Sequence, residues 1–230
     1  LLTIKLNNTS LSLSSWGIQG GNVDMGTGDD TITINAIQGI KGSTIKGGDG
    51  NDVIEVNSSS IGIKDSTISL GAGNDRVTLK ESGDNTISSD NVSFDLGAGD
   101  DNLQLTRGKA TVVGGDGNDT LTIFGLSSNY SFTLQGTDLI VSAKNDPFTA
   151  FTLRTVETIQ FNNQTIDTKS LTAVTVTSSV TNVNEGGQVV FNVSTSGIAA
   201  GTSLPYTISG SNITAGDFKN GVLGGNLTVG

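Results

Sequence analysis

Neither histidine nor cysteine occurs anywhere in the 230 residues, and proline occurs only at Pro147 and Pro205. Their absence excludes Ser-His-Asp and Cys-His nucleophilic chemistry and leaves no nitrogen or thiolate ligand for zinc or copper. It also excludes a disulfide frame, so the chain must be held by packing or by hard cations that oxygen atoms ligate. Basic residues are scarce, with 12 Lys and Arg against 22 Asp and Glu, a formal charge of −10. They stand singly, as Lys5, Lys41, Lys46, Lys64 and Arg76 do. A nucleic-acid surface needs clustered cations to replace phosphate counterions, so nucleic acid is not an expected partner. No apolar run approaches the ~20 residues of a membrane-spanning helix, and no membrane insertion is expected. No signal-peptide pattern is found either. The chain opens on Leu1-Leu2-Thr3-Ile4-Lys5-Leu6, strand-like and without an initiator Met, which reads as a segment of something longer.

What is abundant is glycine, at 32 residues, and much of it is periodic. Five segments align: Met25-Gly26-Thr27-Gly28-Asp29-Asp30, Gly47-Gly48-Asp49-Gly50-Asn51-Asp52, Leu70-Gly71-Ala72-Gly73-Asn74-Asp75, Leu96-Gly97-Ala98-Gly99-Asp100-Asp101 and Gly114-Gly115-Asp116-Gly117-Asn118-Asp119. Each is Gly-x-Gly-x-Asp with an apolar residue two positions beyond the Asp, and the copies recur after 22, 23, 26 and 18 residues. Behind each turn the apolar residues alternate, as Ile32/Ile34, Ile54/Val56, Val77/Leu79, Leu103/Leu105 and Leu121/Ile123. Ahead of each turn stand Val23, Ile45, Ile68, Phe94 and Val112. Alternation with period two marks strands with one buried face. A strand-turn-strand unit of this length cannot bury that face alone, but it can when stacked on copies of itself. The sequence therefore predicts an all-β chain built on a parallel β-solenoid, a β-roll or β-helix. Its far edge reads as less regular: a tight return at Thr106 to Thr111, and longer inserts at 36–42, 58–64 and 82–90. Ile37, Ile40, Ile61, Ile63 and Ile87 are expected to form a third short side there, and residues 2–23 to form one earlier coil.

The glycines permit positive φ, so that successive carbonyl oxygens can converge, and the Asp adds a carboxylate to them. An oxygen-only ligand set in a flexible loop suits Ca2+. Stacking brings Asp30, Asp52, Asp75, Asp101 and Asp119 into one column with a spacing of ~4.8 Å. Neighbouring charges then repel by roughly 1 kcal/mol at the dielectric of water and by ~3–4 kcal/mol at an effective value of 20. A divalent cation between successive turns would reverse that sign. Ordinary Asx turns are the plain alternative for a single copy, but five copies in register argue against it. Asp29, Asp49, Asp100 and Asp116 read as solvated turn residues, and Asp24 and Asp95 as outward-facing strand residues.

Gly-Gly-x-Gly-x-Asp-x-apolar-x resembles the repeat of the RTX (haemolysin-type) calcium-binding proteins of bacteria. The resemblance covers residues 20 to 125. It implies a right-handed parallel β-roll with Ca2+ between stacked turns. The ligands would be Asp30, Asp52, Asp75, Asp101 and Asp119 with loop carbonyls, here those of Gly26, Gly28, Gly48, Gly50, Gly71, Gly73, Gly97, Gly99, Gly115 and Gly117. Five turns enclose about four such spaces. It also implies export, with folding triggered by extracellular calcium. Family rolls carry the motif on both edges, whereas this chain carries it on one.

Beyond the repeats the sequence divides the chain at 1–124, 125–168 and 169–230. The middle segment holds strand-like Tyr130 to Leu134, Leu139 to Val141, Phe148 to Leu153 and Val156 to Phe161. An Asn162-Asn163 turn then leads into Gln164 to Ile166. It is rich in aromatics and reads as a β-rich cap that hides the last solenoid layer. An aromatic platform for carbohydrate is its sharper alternative. The last segment runs Asn184-Glu185-Gly186, then strand-like Val189 to Val193 and Tyr206 to Gly210, then Ala215-Gly216-Asp217-Phe218. That order resembles the start of a Calx-beta domain, a partial immunoglobulin-like sandwich. The resemblance implies candidate calcium ligands at Glu185 and Asp217, with two solvated turn acids as the plain alternative.

The expected function is a calcium-dependent structural or adhesive segment of an exported bacterial cell-surface protein, of the adhesin or surface-layer type, and not an enzyme. Its partners would be calcium ions, neighbouring copies of itself or a cell-surface glycan. The alternative is an accessory calcium-binding module of a secreted protease, lipase or polysaccharide-modifying enzyme with its catalytic domain elsewhere. Ice binding by outward threonines (Thr31, Thr33, Thr78, Thr120, Thr122) is disfavoured, because Glu55, Arg76 and Gln104 interrupt the array.

Overall fold

The structure is a computed structural model that describes residues 3–8, 16–81, 86–135, 137–171, 173–179, 189–196, 203–209, 213–217 and 222–230. It is all-β: a large, curled, mixed sheet of 17 strands begins with Thr3–Asn8 and ends with Thr165–Asp167, and two small hairpins follow. The expected alternation sets its registers. The strands that follow the glycine turns pair in parallel, aligning Ile4, Ile32, Ile54, Val77, Leu103 and Leu121 in one column. The strands that precede the turns align Val23, Ile45, Ile68, Phe94 and Val112 in a second column, again in parallel. Apart from half-buried Val23, and Ile4, whose side chain is not described, these side chains are fully buried and form the core. Each parallel step joins residues one repeat apart, so apolar area is buried between copies rather than within one.

The far edge is more regular than the sequence suggests. Thr31–Lys41 and Val53–Lys64 each run through it as one long strand with a single register shift. Ile18, Ile40 and Ile63 align there, and Ile40 and Ile63 are fully buried. After these strand segments the chain turns through Gly20 (φ 64°), Gly42 (φ 57°), Asp65 (φ 47°) and Asn91 (φ 56°), a second corner in left-handed backbone. Glycine, Asp and Asn are the residues that tolerate this region, which is why three different residue types serve at one structural position. The N–H of each of the first three donates to the neighbouring coil, to Lys41 O, Lys64 O and Asp90 O, at 2.9–3.0 Å.

Residues Tyr130–Gln135, Asp138–Ala143 and Ala150–Arg154 form an antiparallel meander. Its last strand docks in parallel on Lys109 to Val113, adding Leu153 to the pre-turn column. Thr158–Gln160 docks on Thr120 to Thr122, adding Ile159 to the post-turn column. It then folds back on Thr165–Asp167 through the Asn162-Asn163 turn. Tyr130, Phe132 and Phe161 pack ring to ring, with centroids 5.2 and 6.1 Å apart. The meander is tied to the last repeat by Arg107, whose Nε donates to Asp146 Oδ2 at 2.7 Å.

The tail contributes two antiparallel hairpins, Ala173–Ser178 with Phe191–Ser196 and Ser203–Thr207 with Gly224–Thr228. Among the described residues no strand pairing joins one hairpin to the other, and Val190, Phe191 and Val193 are exposed. Among the described residues no helix is long and apolar enough to cross a membrane.

Candidate metal centre at the glycine turns

All ten motif glycines have positive φ, between 95° and 136°. Conformation is only part of their role. At Gly48 a Cβ would overlap the carbonyl oxygen of Gly26 one coil earlier, and the later coils repeat this contact. Glycine is what lets the turns stack at backbone contact. The turns are also bonded to one another: the N–H of Gly28, Gly50, Gly73 and Gly99 donates to Asp49 O, Ala72 O, Ala98 O and Asp116 O at 2.6–2.8 Å.

The five motif aspartates are 0–2% exposed and stand in one column. The carboxylates of Asp52, Asp75, Asp101 and Asp119 each reach back one repeat through Oδ1. The Asp30 N–H donates to Asp52 Oδ1 at 2.9 Å, Asp52 to Asp75 at 2.6 Å, Asp75 to Asp101 at 2.7 Å and Asp101 to Asp119 at 3.1 Å. The second oxygen is left over: Oδ2 of Asp52, Asp75, Asp101 and Asp119 is buried without a hydrogen-bond partner. A buried charged oxygen without a partner is costly, and the acid responds by holding its proton. Burial, opposed by the Asp52 backbone N–H, pushes Asp75 up to about 6. Burial, opposed by the Asp75 N–H and aided by the charges of Asp75 and Asp119, pushes Asp101 up to about 7. Asp52 and Asp119 are raised for the same first reason.

The arrangement fits a hard cation in its donor chemistry. A Cβ on Gly47 would overlap both Asp52 Oδ2 and Leu70 O, and one on Gly114 would overlap both Asp119 Oδ2 and Thr155 O. In these two turns a glycine leaves open a cradle on which a carboxylate oxygen and a carbonyl of the next coil converge. In the other three turns Met25, Leu70 and Leu96 occupy that position and join the core. The carbonyls of the motif glycines lie elsewhere: those of Gly26, Gly48, Gly71 and Gly97 abut the first motif glycine of the next coil, and those of Gly28, Gly50, Gly73 and Gly99 abut the second. Among the described residues no group of three or more acidic side chains could hold a metal, so an ion in the column would draw on one carboxylate per coil and on backbone oxygens.

A second polar column runs beside the first. Asn51 N–H donates to Asp29 Oδ1 at 2.7 Å, Asn74 N–H to Asn51 Oδ1 at 2.7 Å, Asp100 N–H to Asn74 Oδ1 at 2.8 Å and Asn118 N–H to Asp100 Oδ1 at 2.9 Å. Asp29 and Asp100 are exposed, as the sequence suggested, yet their carboxylates bridge coils. The signal was present in the sequence, since the residue before each motif Asp is always Asp or Asn. Asp24, Asp49, Asp95 and Asp116 are exposed. In the tail Glu185 lies outside the described residues. Asp217 is exposed, and its Oδ2 accepts from Thr214 N and Oγ1 at 2.7 and 2.9 Å, the backward reach of a capping box, which holds its carboxyl below the usual range.

In comparisons with known proteins, no family model and no curated relative matches the chain.

Proposed function

We propose that residues 1–124 form a parallel β-solenoid of the RTX calcium-binding kind, which holds Ca2+ between its stacked Gly-x-Gly-x-Asp turns. Residues 125–168 would cap it, and 169–230 would begin a Calx-beta-like sandwich. The chain then serves as a calcium-dependent structural or adhesive segment of an exported bacterial surface protein, not as an enzyme. One observation carries the calcium reading: four carboxylates in one column, Asp52, Asp75, Asp101 and Asp119, each keep a buried oxygen for which the protein supplies no donor. A cation that accepts 6–8 oxygens answers that need, with carbonyls supplying the rest. When bound, Ca2+ would supply positive charge that holds the column together; the chain's own residues position the oxygens and exclude water. The adhesive role rests on the resemblance of the repeat.

The test is calcium titration of the chelated protein at pH 8, followed by circular dichroism and calorimetry. Saturable binding with a gain in strand signal or melting temperature is expected. A protein whose spectrum and melting temperature are the same in chelator and in millimolar calcium overturns the reading.

A further inference from the structure

We propose that Glu157 forms, with Asp119, a further divalent-cation site that closes the aspartate column at its C-terminal end; this rests on the calcium reading above. The repeat stops at Asp119 in the sequence, but the column does not stop there in space. Parallel pairing sets Thr158 against Thr120 and Ile159 against Leu121, which brings Glu157 to the level after Asp119. The backbone bond that joins coils at this position is repeated: Thr158 N–H donates to Asp119 O at 3.0 Å, as Thr120 N–H donates to Asp101 O at 2.9 Å. The carboxylate bond is repeated as well, since Asp119 N–H donates to Glu157 Oε2 at 3.0 Å, the role that Oδ1 of the next Asp plays in every earlier coil.

The turn ahead of Glu157 is shorter. Gly114 to Asp119 is replaced by Thr155-Val156-Glu157, and the extra methylene of Glu recovers the reach that the shortened loop loses. Thr155 stands opposite Gly114 and takes a φ of 48°, uncommon for a β-branched residue, while its Oγ1 accepts from Gly115 N–H at 2.8 Å. Its carbonyl oxygen lies with Asp119 Oδ2 on the open face of Gly114. Asp119 is fully buried, and that Oδ2 has no hydrogen-bond partner. The Asp119 and Glu157 carboxylates and the Thr155 carbonyl therefore stand at the junction between the last glycine turn and a turn that lacks the motif. Thr155, Glu157 and Lys169 line one cleft of about 210 Å³, so a cation bound there would have the Lys169 ammonium as a neighbour.

Native mass spectrometry of the full chain at saturating calcium counts the ions on wild type and on Glu157→Gln. The amide oxygen still accepts from Asp119 N–H and one like charge beside Asp119 is removed, so the calcium-free melting temperature should hold or rise while one ion fewer is bound. If wild type binds calcium and Glu157→Gln binds the same number with the same affinity, Glu157 is only a hydrogen-bonding cap for Asp119 N–H, and this inference alone fails. If wild type binds none, the calcium reading itself fails. Should Glu157→Gln not fold, Glu157→Asp keeps the charge and shortens the reach; one class of ion should weaken about tenfold or more, and unchanged affinities overturn the proposal.

Discussion

Raising the pH of the calcium-free protein should destabilise it. Asp75 and Asp101 are 2% exposed, each with one unpartnered buried oxygen, and their carboxyls titrate at about 6 and about 7. In the unfolded chain they titrate near the ordinary ~3.9. Between about pH 4 and 7 the folded state therefore keeps protons that the unfolded chain has released, so stability falls as pH rises and levels off above about 7. At about 1.4 kcal/mol per unit of displacement, either group alone would contribute a few kcal/mol if unscreened. Allowing for solvent screening and coupling along the column, we expect roughly 3–4 kcal/mol in total between pH 5 and 8. For a chain of this size that is a fall in melting temperature of about 6–16 °C. Asp146, held at about 2 by hydrogen bonding to Arg107, acts with the opposite sign but only as pH falls below about 4, outside this window. Calcium competes with protons for the same carboxylates, so it should restore far more stability at pH 8 than at pH 5. Melting followed by circular dichroism, in chelator and in millimolar calcium at both pH values, makes the comparison. A chelated protein whose melting temperature holds level or rises from pH 5 to 8 refutes the buried, unpartnered column.

Three further outcomes follow from the same geometry. Asp75→Asn keeps an oxygen for Asp52 N–H but removes the charge. It should raise calcium-free stability at pH 8 by about 1–2 kcal/mol and reduce the gain from calcium more than Asp30→Asn at the column's end; equal effects in matched melts would contradict stacking. Gly48→Ala places a Cβ on the Gly26 carbonyl at a φ of 122° and should cost about 3 kcal/mol or more. Gly20→Ala, at a φ of 64° with nothing near its Cβ, should cost about 1 kcal/mol, and denaturant melts of the pair separate stacking from conformation. Phe94→Ala empties a fully buried position in the pre-turn column and should cost about 3–5 kcal/mol, read as a lower urea midpoint with unchanged slope.

The glycine turns, the flanking strands and the aspartate column were legible in the sequence because each requirement is local and repeats. A positive φ calls for glycine, and a half-buried strand calls for alternation. Copies at 18–26 residues can satisfy both only by stacking. The second corner was hidden because its left-handed position is filled by Gly20, Gly42, Asp65 and Asn91, residues that share a tolerance of backbone rather than a letter. The two polar columns were half visible: the Asp and Asx positions recur, but their use as acceptors for the neighbouring coil's N–H depends on the distance between coils. Glu157 could not be found by pattern at all. It stands 38 residues from Asp119, in a shortened turn without the motif, and only the parallel docking of Thr158 on Thr120 brings its carboxylate to the Asp119 N–H. The sequence by itself determined which backbone shapes and faces repeat. Tertiary structure decided which oxygens meet, because they come from separate coils and no rule of local spacing relates them.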